Sequence, residues 1–185
     1  MRRFAPLVVA PLVLVVGACD SDEPTDATPP AAGAKLCDVT DASWWYDATG
    51  AGGLTGVLTG DKLPLTNPTL SPTPDTQAEC KALGDGKEVA GFVAEATTAD
   101  EVINTAQNIV KYPAEGQFVV QGNKGAVEPP QEGDLLRAWW TCGSTLLKVE
   151  LIHPKDKKQG VELTKTLAQR VAGVVGCPGP TPKPN

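Results

Sequence analysis

The stretch from Leu135 to His153, LLRAWWTCGSTLLKVELIH, constrains the fold more than any other part of the chain. Two strand-like runs flank Gly143-Ser144, a dipeptide that suits a two-residue hairpin turn. Because side chains alternate along a strand, that turn decides which residues stand opposite each other. One face then carries the pairs Cys142–Thr145, Trp140–Leu147, Ala138–Val149 and Leu136–Leu151. The other face carries Trp139–Lys148 and Arg137–Glu150. A slip by one residue would bury the charged set, so we predict this register.

The first 18 residues are typical of a secretory signal peptide, with two arginines near the start and an apolar run over Phe4–Val16. A transmembrane helix needs roughly 20 apolar residues, and this run is shorter and contains two prolines. Val16-Gly17-Ala18-Cys19 resembles a bacterial lipobox, which implies that Cys19 is diacylated and becomes the first residue. The alternative is ordinary secretion with Cys19 as a free thiol.

The charge of the chain bears on its partners. The net charge is −6, and loss of Arg2 and Arg3 with the signal peptide would leave about −8. An acidic chain without a basic patch argues against nucleic acid as a partner. We therefore expect membrane association through the lipid on Cys19, on the extracytoplasmic side of the cell membrane, and not through polybasic attraction.

Export also bears on the other four cysteines, Cys37, Cys80, Cys142 and Cys177. An even number in an oxidising compartment predicts two disulfides, with three possible connectivities. Zinc is the alternative, but no two of these cysteines lie two to four residues apart, as zinc ligands usually do.

Geometry favours one connectivity. A helix from Gly160 to Cys177 travels roughly 26 Å at ~1.5 Å per residue. The second hairpin strand travels about the same distance from the turn at ~3.3 Å per residue. An antiparallel return would bring Cys177 to the level of Cys142. We therefore predict the pairs Cys142–Cys177 and Cys37–Cys80.

Composition divides the chain into four segments. Residues 1–18 are the signal peptide, and 19–35 are the lipidated Cys and a disordered tether rich in Asp, Pro, Thr and Ala. Residues 36–177 form one domain, and 178–185 are a Pro-rich disordered tail.

Within the domain, local signals predict three helices and about five strands. The helices open at Thr40 as N-cap, at the capping box Thr98–Glu101, and at Gly160; the first ends at Gly50 and the last at Gly176. The strands are Ala78–Leu83, Glu88–Ala94, Gln117–Gln121 and the two of the hairpin. Residues 51–75 and 125–133 are predicted as loops, and the glycines near Gly53 as flexible and not phosphate-binding. The fold class is α+β, an antiparallel sheet with helices packed mainly on one face and two disulfides.

Several of these features occur together in a known group of proteins. Cys37-Asp38-Val39-Thr40, a helix ending at Gly50, a Cys in the next strand and a Val-rich closing helix resemble small actinobacterial secreted lipoproteins of unknown function. The resemblance covers Cys37–Cys177 and implies a lipobox, a tether and an α+β domain. The chain departs from the pattern at Ala82, where an aromatic residue is usual. The resemblance implies a location and a fold but no reaction.

The chemistry available to the chain is limited. His153 is the single histidine and lies at a strand end, without an acid to orient it as a catalytic base. With the cysteines in disulfides, no nitrogen or sulfur metal site can form, and no cofactor motif is present. We therefore expect no catalytic residue, metal or cofactor. A carboxylate-based envelope hydrolase and a purely structural domain stay as alternatives.

The tryptophans suggest a binding surface. Trp44 and Trp45 lie about 100° apart on a helix, and Trp139 and Trp140 point to opposite sides of a strand, so one of each pair should be buried. An exposed aromatic ringed by polar groups marks a binding site. The candidate binding face is Trp139, Arg137, Lys148 and Glu150. We predict a lipid-anchored, non-catalytic domain that binds an envelope protein or a small ligand; loops roofing the outer tryptophans are the alternative.

Overall fold

The computed structural model describes residues 27–63, 65, 77–130 and 134–177. The predicted signal peptide, Cys19 and the tail from Pro178 lie outside the described residues. Composition placed residues 27–35 in the tether, but some of them contact the domain. The Tyr46 hydroxyl donates to the Ala27 carbonyl at 2.7 Å, and Lys35 begins the first strand.

The described chain forms three α-helices and nine strands. The helices are α1 Ala42–Thr49, α2 Ala99–Ile109 and α3 Gly160–Val175. The strands are β1 Lys35–Leu36, β2 Thr40–Asp41, β3 Thr55–Gly60, β4 Gln77–Gly84, β5 Lys87–Ala96, β6 Gln117–Val120, β7 Asn123–Val127, β8 Leu136–Cys142 and β9 Thr145–Leu151. β1 pairs with β2, and the other seven form one antiparallel sheet in the order β3-β4-β5-β9-β8-β7-β6.

The hairpin β8–β9 lies inside this sheet and has the predicted register. Cys142 stands opposite Thr145 and Arg137 stands opposite Glu150, with every pair between them as expected. Gly143 has a φ of 58°, a left-handed conformation that glycine adopts without a Cβ clash. The prediction of the hairpin is confirmed.

One face of the sheet, called here the dry face, carries Trp140, Leu147 and Phe92. All three side chains are fully buried, because α1 and α3 cover this face. Trp45 of α1 stacks on Phe92 with 6.2 Å between ring centroids. The dry face therefore holds the main hydrophobic core.

Two disulfides join other segments to the dry face. Cys37, just before β2, bonds to Cys80 of β4, and Cys177, just after α3, bonds to Cys142 of β8. The Cα–Cα distances are 5.9 Å and 5.4 Å, within the usual range for a disulfide. These are the pairs predicted from the lengths of strand and helix.

The sheet has seven strands where about five were predicted. Of the additional strands, β3 lies within the segment 51–75 that was predicted as a loop, and β7 overlaps the predicted loop 125–133. At Gly56 in β3 a Cβ would lie 2.7 Å from the backbone nitrogen of Cys37, and at Gly125 in β7 it would clash with the ring of Phe118. Both glycines serve close packing, which local sequence patterns do not reveal.

The start of α1 also differs from the prediction. The N-cap position is Asp41, without a side-chain cap, and Thr40 lies in β2. The buried Thr40 hydroxyl donates to the Leu36 carbonyl and accepts from Trp45 Nε1, both at 2.9 Å. The Thr40 side chain is therefore engaged in these two buried hydrogen bonds and does not cap α1. The helix ends at Gly50 as predicted.

The other two helices begin where predicted. Thr98 caps α2 by accepting from the Glu101 backbone N–H at 3.3 Å. The Glu101 carboxylate accepts from the Thr97 hydroxyl, so the reciprocal half of the capping box is replaced by a bond to the neighbouring residue. α3 has the predicted bounds.

The helices do not all lie on one face. α2 packs against β7 and β8, where its residues Ile109 and Val102 are buried, and Ile109 shares a depression with Trp139. Trp139 points away from the dry face, so α2 covers part of the opposite side of the sheet. Two of the three helices, α1 and α3, thus pack on the dry face, and α2 packs on the opposite side.

Candidate functional site

The side of the sheet opposite the dry face, called here the open face, carries Trp139, Lys148 and Glu150. α2 covers this face over β7 and β8. The next strands in the sheet, β9, β5 and β4, lie to one side of the area that α2 covers. Trp139 is half-buried at the boundary between the covered and uncovered parts. Its ring forms a wall of two separate depressions.

The first depression lies between α2 and the sheet and has a volume of about 150 Å³. It is lined by Trp139, Glu128, Thr105, Asn108, Ile109 and Tyr112. The second depression lies on the uncovered strands and has a volume of about 240 Å³. It is lined by Trp139, Lys148, Leu146, Val93, Glu95 and Gln77. Trp139 is thus the residue that the two depressions share.

Strand register places the residues of the second depression. Lys148 of β9 stands between Trp139 of β8 and Val93 of β5. One row away, Glu95 of β5 stands between Leu146 and Gln77. Residues opposite each other in an antiparallel sheet share a face, so four strands together form the floor of this depression.

The four residues predicted as a binding face lie together on the open face. Arg137 Nε donates to Glu150 Oε1 at 2.8 Å, and Lys148 Nζ lies 3.4 Å from the same oxygen. Burial raises the pKa of Glu150, but the hydrogen bond from Arg137 and the charge of Lys148 outweigh burial and lower it overall. Arg137, Lys148 and Glu150 therefore pair with one another and lie on one side of Trp139.

Glu128 holds Trp139 in place from the other side. Trp139 Nε1 donates to Glu128 Oε2 at 3.1 Å, and Arg137 Nη1 lies 3.6 Å from Glu128 Oε1. The pKa of Tyr112 is raised by burial and by the nearby Glu128 carboxylate. Sequence reasoning missed Glu128 because the segment containing it was predicted as a loop.

Glu95 differs from the other carboxylates of the site. Its pKa is raised, first by burial and then by the charge of Glu101, with Lys148 acting in the opposite direction. Among the described residues Glu95 forms no salt bridge, because the nearby Lys148 is paired with Glu150. Glu95 lies one residue beyond the predicted strand Glu88–Ala94. Extending the alternation from Val93 by two residues would have placed it on the open face.

The single histidine lies away from the open-face site. His153 is exposed beyond the end of β9, outside both depressions. No cluster of three or more His, Cys, Asp or Glu in this part of the chain could hold a metal ion. No described helix has the length and apolarity to span a membrane.

Comparisons with known proteins return no relative: no protein-family model, no curated protein and no solved structure matches the chain.

Proposed function

We propose that the protein is a lipid-anchored extracytoplasmic lipoprotein whose domain binds an envelope protein or a small ligand without catalysing a reaction. The binding surface is the pair of depressions around Trp139. The observation that carries this proposal is the position of the Trp139 ring, half-buried and held by Glu128 between two depressions. Concave sites with an aromatic wall and a few directed polar groups are typical of ligand binding.

The carboxylates of the site favour binding over hydrolysis. A glycoside hydrolase of the usual kind needs two carboxyl groups, one on each side of the bond to be cleaved. Here Glu128 accepts from Trp139 and Glu150 is shared between Arg137 and Lys148. Among the carboxylates that border the two depressions, Glu95 is then the one without a hydrogen bond or salt bridge to a described residue, whereas hydrolysis of this kind needs two available carboxyl groups.

The anchor is the second part of the proposal. The support is the lipobox-like sequence that ends at Cys19, after a basic start and a short apolar run. Cys19→Ala should leave the protein soluble or unprocessed, as fractionation of cells and mass measurement of the mature chain would show. Retention of a processed but unlipidated chain in the membrane fraction would contradict the anchor.

Crosslinking in intact cells tests the binding surface. A photo-crosslinking amino acid in place of Gln77, at the rim of the second depression, should capture a defined partner that mass spectrometry identifies. The same amino acid in place of Val119, a 59% exposed residue outside both depressions, is the matched control.

The Trp139→Ala variant should lose capture from position 77. Capture that is equally strong from both positions, or unchanged by Trp139→Ala, would show that the Trp139 surface is not the binding site. Absence of a defined product at position 77 would favour the purely structural alternative.

A further inference from the structure

The negative charge of Glu95 in the second depression is only partly compensated. Its two charged lining residues are Glu95 and Lys148. Lys148 already lies 3.4 Å from Glu150, whereas Glu95 forms no salt bridge among the described residues. Glu101, at the start of α2, adds a second negative charge close enough to affect Glu95. A ligand that brings a positive charge would therefore complement this depression.

The remaining walls suit a cation with an apolar stem. The ring of Trp139 stands on one side, and Val93 and Leu146 form an apolar floor. The face of an indole attracts an ammonium group, most strongly when both are partly removed from water. The amide of Gln77 offers a carbonyl oxygen that can accept an ammonium N–H.

We propose that the second depression binds an organic ammonium group on an apolar stem, such as an alkylamine or the side chain of lysine. The nitrogen lies at the Glu95 carboxylate, and the stem lies against Trp139 and the apolar floor. This inference deepens the proposed function and rests on it. An anionic ligand would face Glu95 and Glu101, and a neutral ligand would leave Glu95 without a counterion.

The pH dependence of binding follows from Glu95. The charged groups facing it are Glu101 from α2 and Lys148 from β9, while β4 contributes the neutral Gln77. Burial and Glu101 raise the pKa of Glu95, so its carboxyl group takes up a proton at a higher pH than an exposed glutamate does. A lysine-type amine stays protonated up to about pH 10. Affinity should therefore stay high while Glu95 is ionised and the amine is protonated, and fall as the pH drops through the pKa of Glu95.

The probe is n-butylammonium chloride, added to the full chain in a non-ionic detergent at low salt and followed through the indole N–H resonances of the tryptophans. We expect one indole resonance, absent in Trp139→Phe, to shift in a saturable way. The neutral analogue 1-butanol and the anion butyrate should bind at least about tenfold more weakly. Equal binding of 1-butanol would overturn the proposal, because charge would then play no part.

Glu95→Gln is the decisive variant, since it removes the charge and keeps the shape. It should weaken butylammonium binding at least about tenfold and abolish its pH dependence. Glu79→Gln is the matched control, because Glu79 lies on the uncovered β4 and is near Lys81 (3.7 Å), outside the depression. Unchanged affinity in Glu95→Gln, with an indole spectrum that shows a folded protein, would overturn the inference.

A short peptide with one internal lysine separates the two sources of the ammonium group. Stronger binding of the peptide than of butylammonium indicates a protein partner, and the reverse order indicates a small amine. If crosslinking depends on Trp139 but butylammonium does not bind, the inference fails and the proposed function stands. If neither is observed, both fail.

Discussion

The two faces of the same sheet are built in different ways, although β8 contributes a tryptophan to each. On the dry face Trp140 is fully buried beneath two helices, and both disulfides attach to this side. On the open face Trp139 is half-buried beside one helix and bordered by ion pairs and two depressions. Strand alternation therefore separates the packed core from the proposed binding surface, so that two neighbouring residues of one strand lie in different environments.

Charge behaves differently in two places on the open face. Glu150 has a lowered pKa because Arg137 and Lys148 outweigh the effect of its burial, whereas Glu95 has a raised pKa because burial and Glu101 outweigh the opposing charge of Lys148. The charge of Glu150 is therefore balanced by cations of the protein itself. Glu95 has no such salt bridge among the described residues, and for this reason the proposed ligand site is centred on Glu95.

The largest expected effect separates the two tryptophans. Trp140→Ala should lower the free energy of unfolding by about 3–5 kcal/mol, because it removes a fully buried ring from the core. Trp139→Ala should cost about 1–2 kcal/mol, from the lost hydrogen bond to Glu128 and the contacts beside α2. Urea unfolding of the oxidised proteins measures both values. Equal losses would mean that both faces are core.

Phenylalanine variants sharpen the same comparison. The Trp140 indole N–H has no hydrogen-bond partner among the described residues, so Trp140→Phe loses volume alone. Trp139→Phe loses the hydrogen bond to Glu128. This variant should lose crosslinking from position 77 in cells, while its free energy of unfolding changes little.

Removal of a disulfide should have the next largest effect. The Cys142→Ala, Cys177→Ala double variant opens a link across a separation of 35 residues and should lose roughly 3–4 kcal/mol in the chain-entropy model. Because this bond lies on the dry face, butylammonium binding should persist well below the melting temperature. Thermal unfolding followed by circular dichroism measures the loss of stability. A decrease in the free energy of unfolding of less than about 1 kcal/mol would contradict the entropic model.

A smaller and more local effect is expected at α2, the helix without a disulfide. Thr98→Ala removes the cap on the Glu101 N–H and should cost about 1 kcal/mol. Amide hydrogen exchange should become faster in α2 and stay slow in α3, because segments with little buried apolar surface open separately. Equal acceleration in both helices would show that the two faces unfold as one unit.

The smallest expected effect compares Glu95 with Glu150 through pH. The raised pKa of Glu95 means that the folded state holds this proton more tightly, so ionising Glu95 lowers stability as the pH rises between its unfolded pKa, about 4.3, and its folded pKa. Glu95→Gln should therefore raise the melting temperature slightly at pH 7 and have no effect below pH 4.

Glu150→Gln should act with the opposite sign. Its lowered pKa contributes stability above the unfolded pKa, and that contribution disappears as the pH falls through the folded pKa. The variant should be less stable than the wild type at pH 7, by an amount that shrinks in acid. If both variants shifted the melting temperature in the same direction at pH 7, relative to the wild type, the predicted contrast between the two carboxylates would be wrong.

The sequence by itself determined the features that depend on near neighbours. The register of the β8–β9 hairpin, the cap at Thr98, the bounds of α3 and the prediction of two disulfides all follow from turn chemistry, alternation, helix period and cysteine number. The shared face of Trp139, Arg137, Lys148 and Glu150 follows from the same register. The caps, the helix bounds and the hairpin register can be predicted because they depend on local sequence around a turn or a helix end, and the disulfides because the number of cysteines is even.

The tertiary structure decided what depends on distant contacts. β3 and β7 are strands because they pair with β4 and with β6 and β8, and their glycines allow close contact with Cys37 and Phe118; local composition reveals neither. α2 packs on the open face beside Trp139 and forms one wall of the first depression, whereas the second depression is formed by residues of four strands, β4, β5, β8 and β9. Glu95 and Glu128 belong to the site because remote strands and α2 surround Trp139, and such long-range packing overrides local preference.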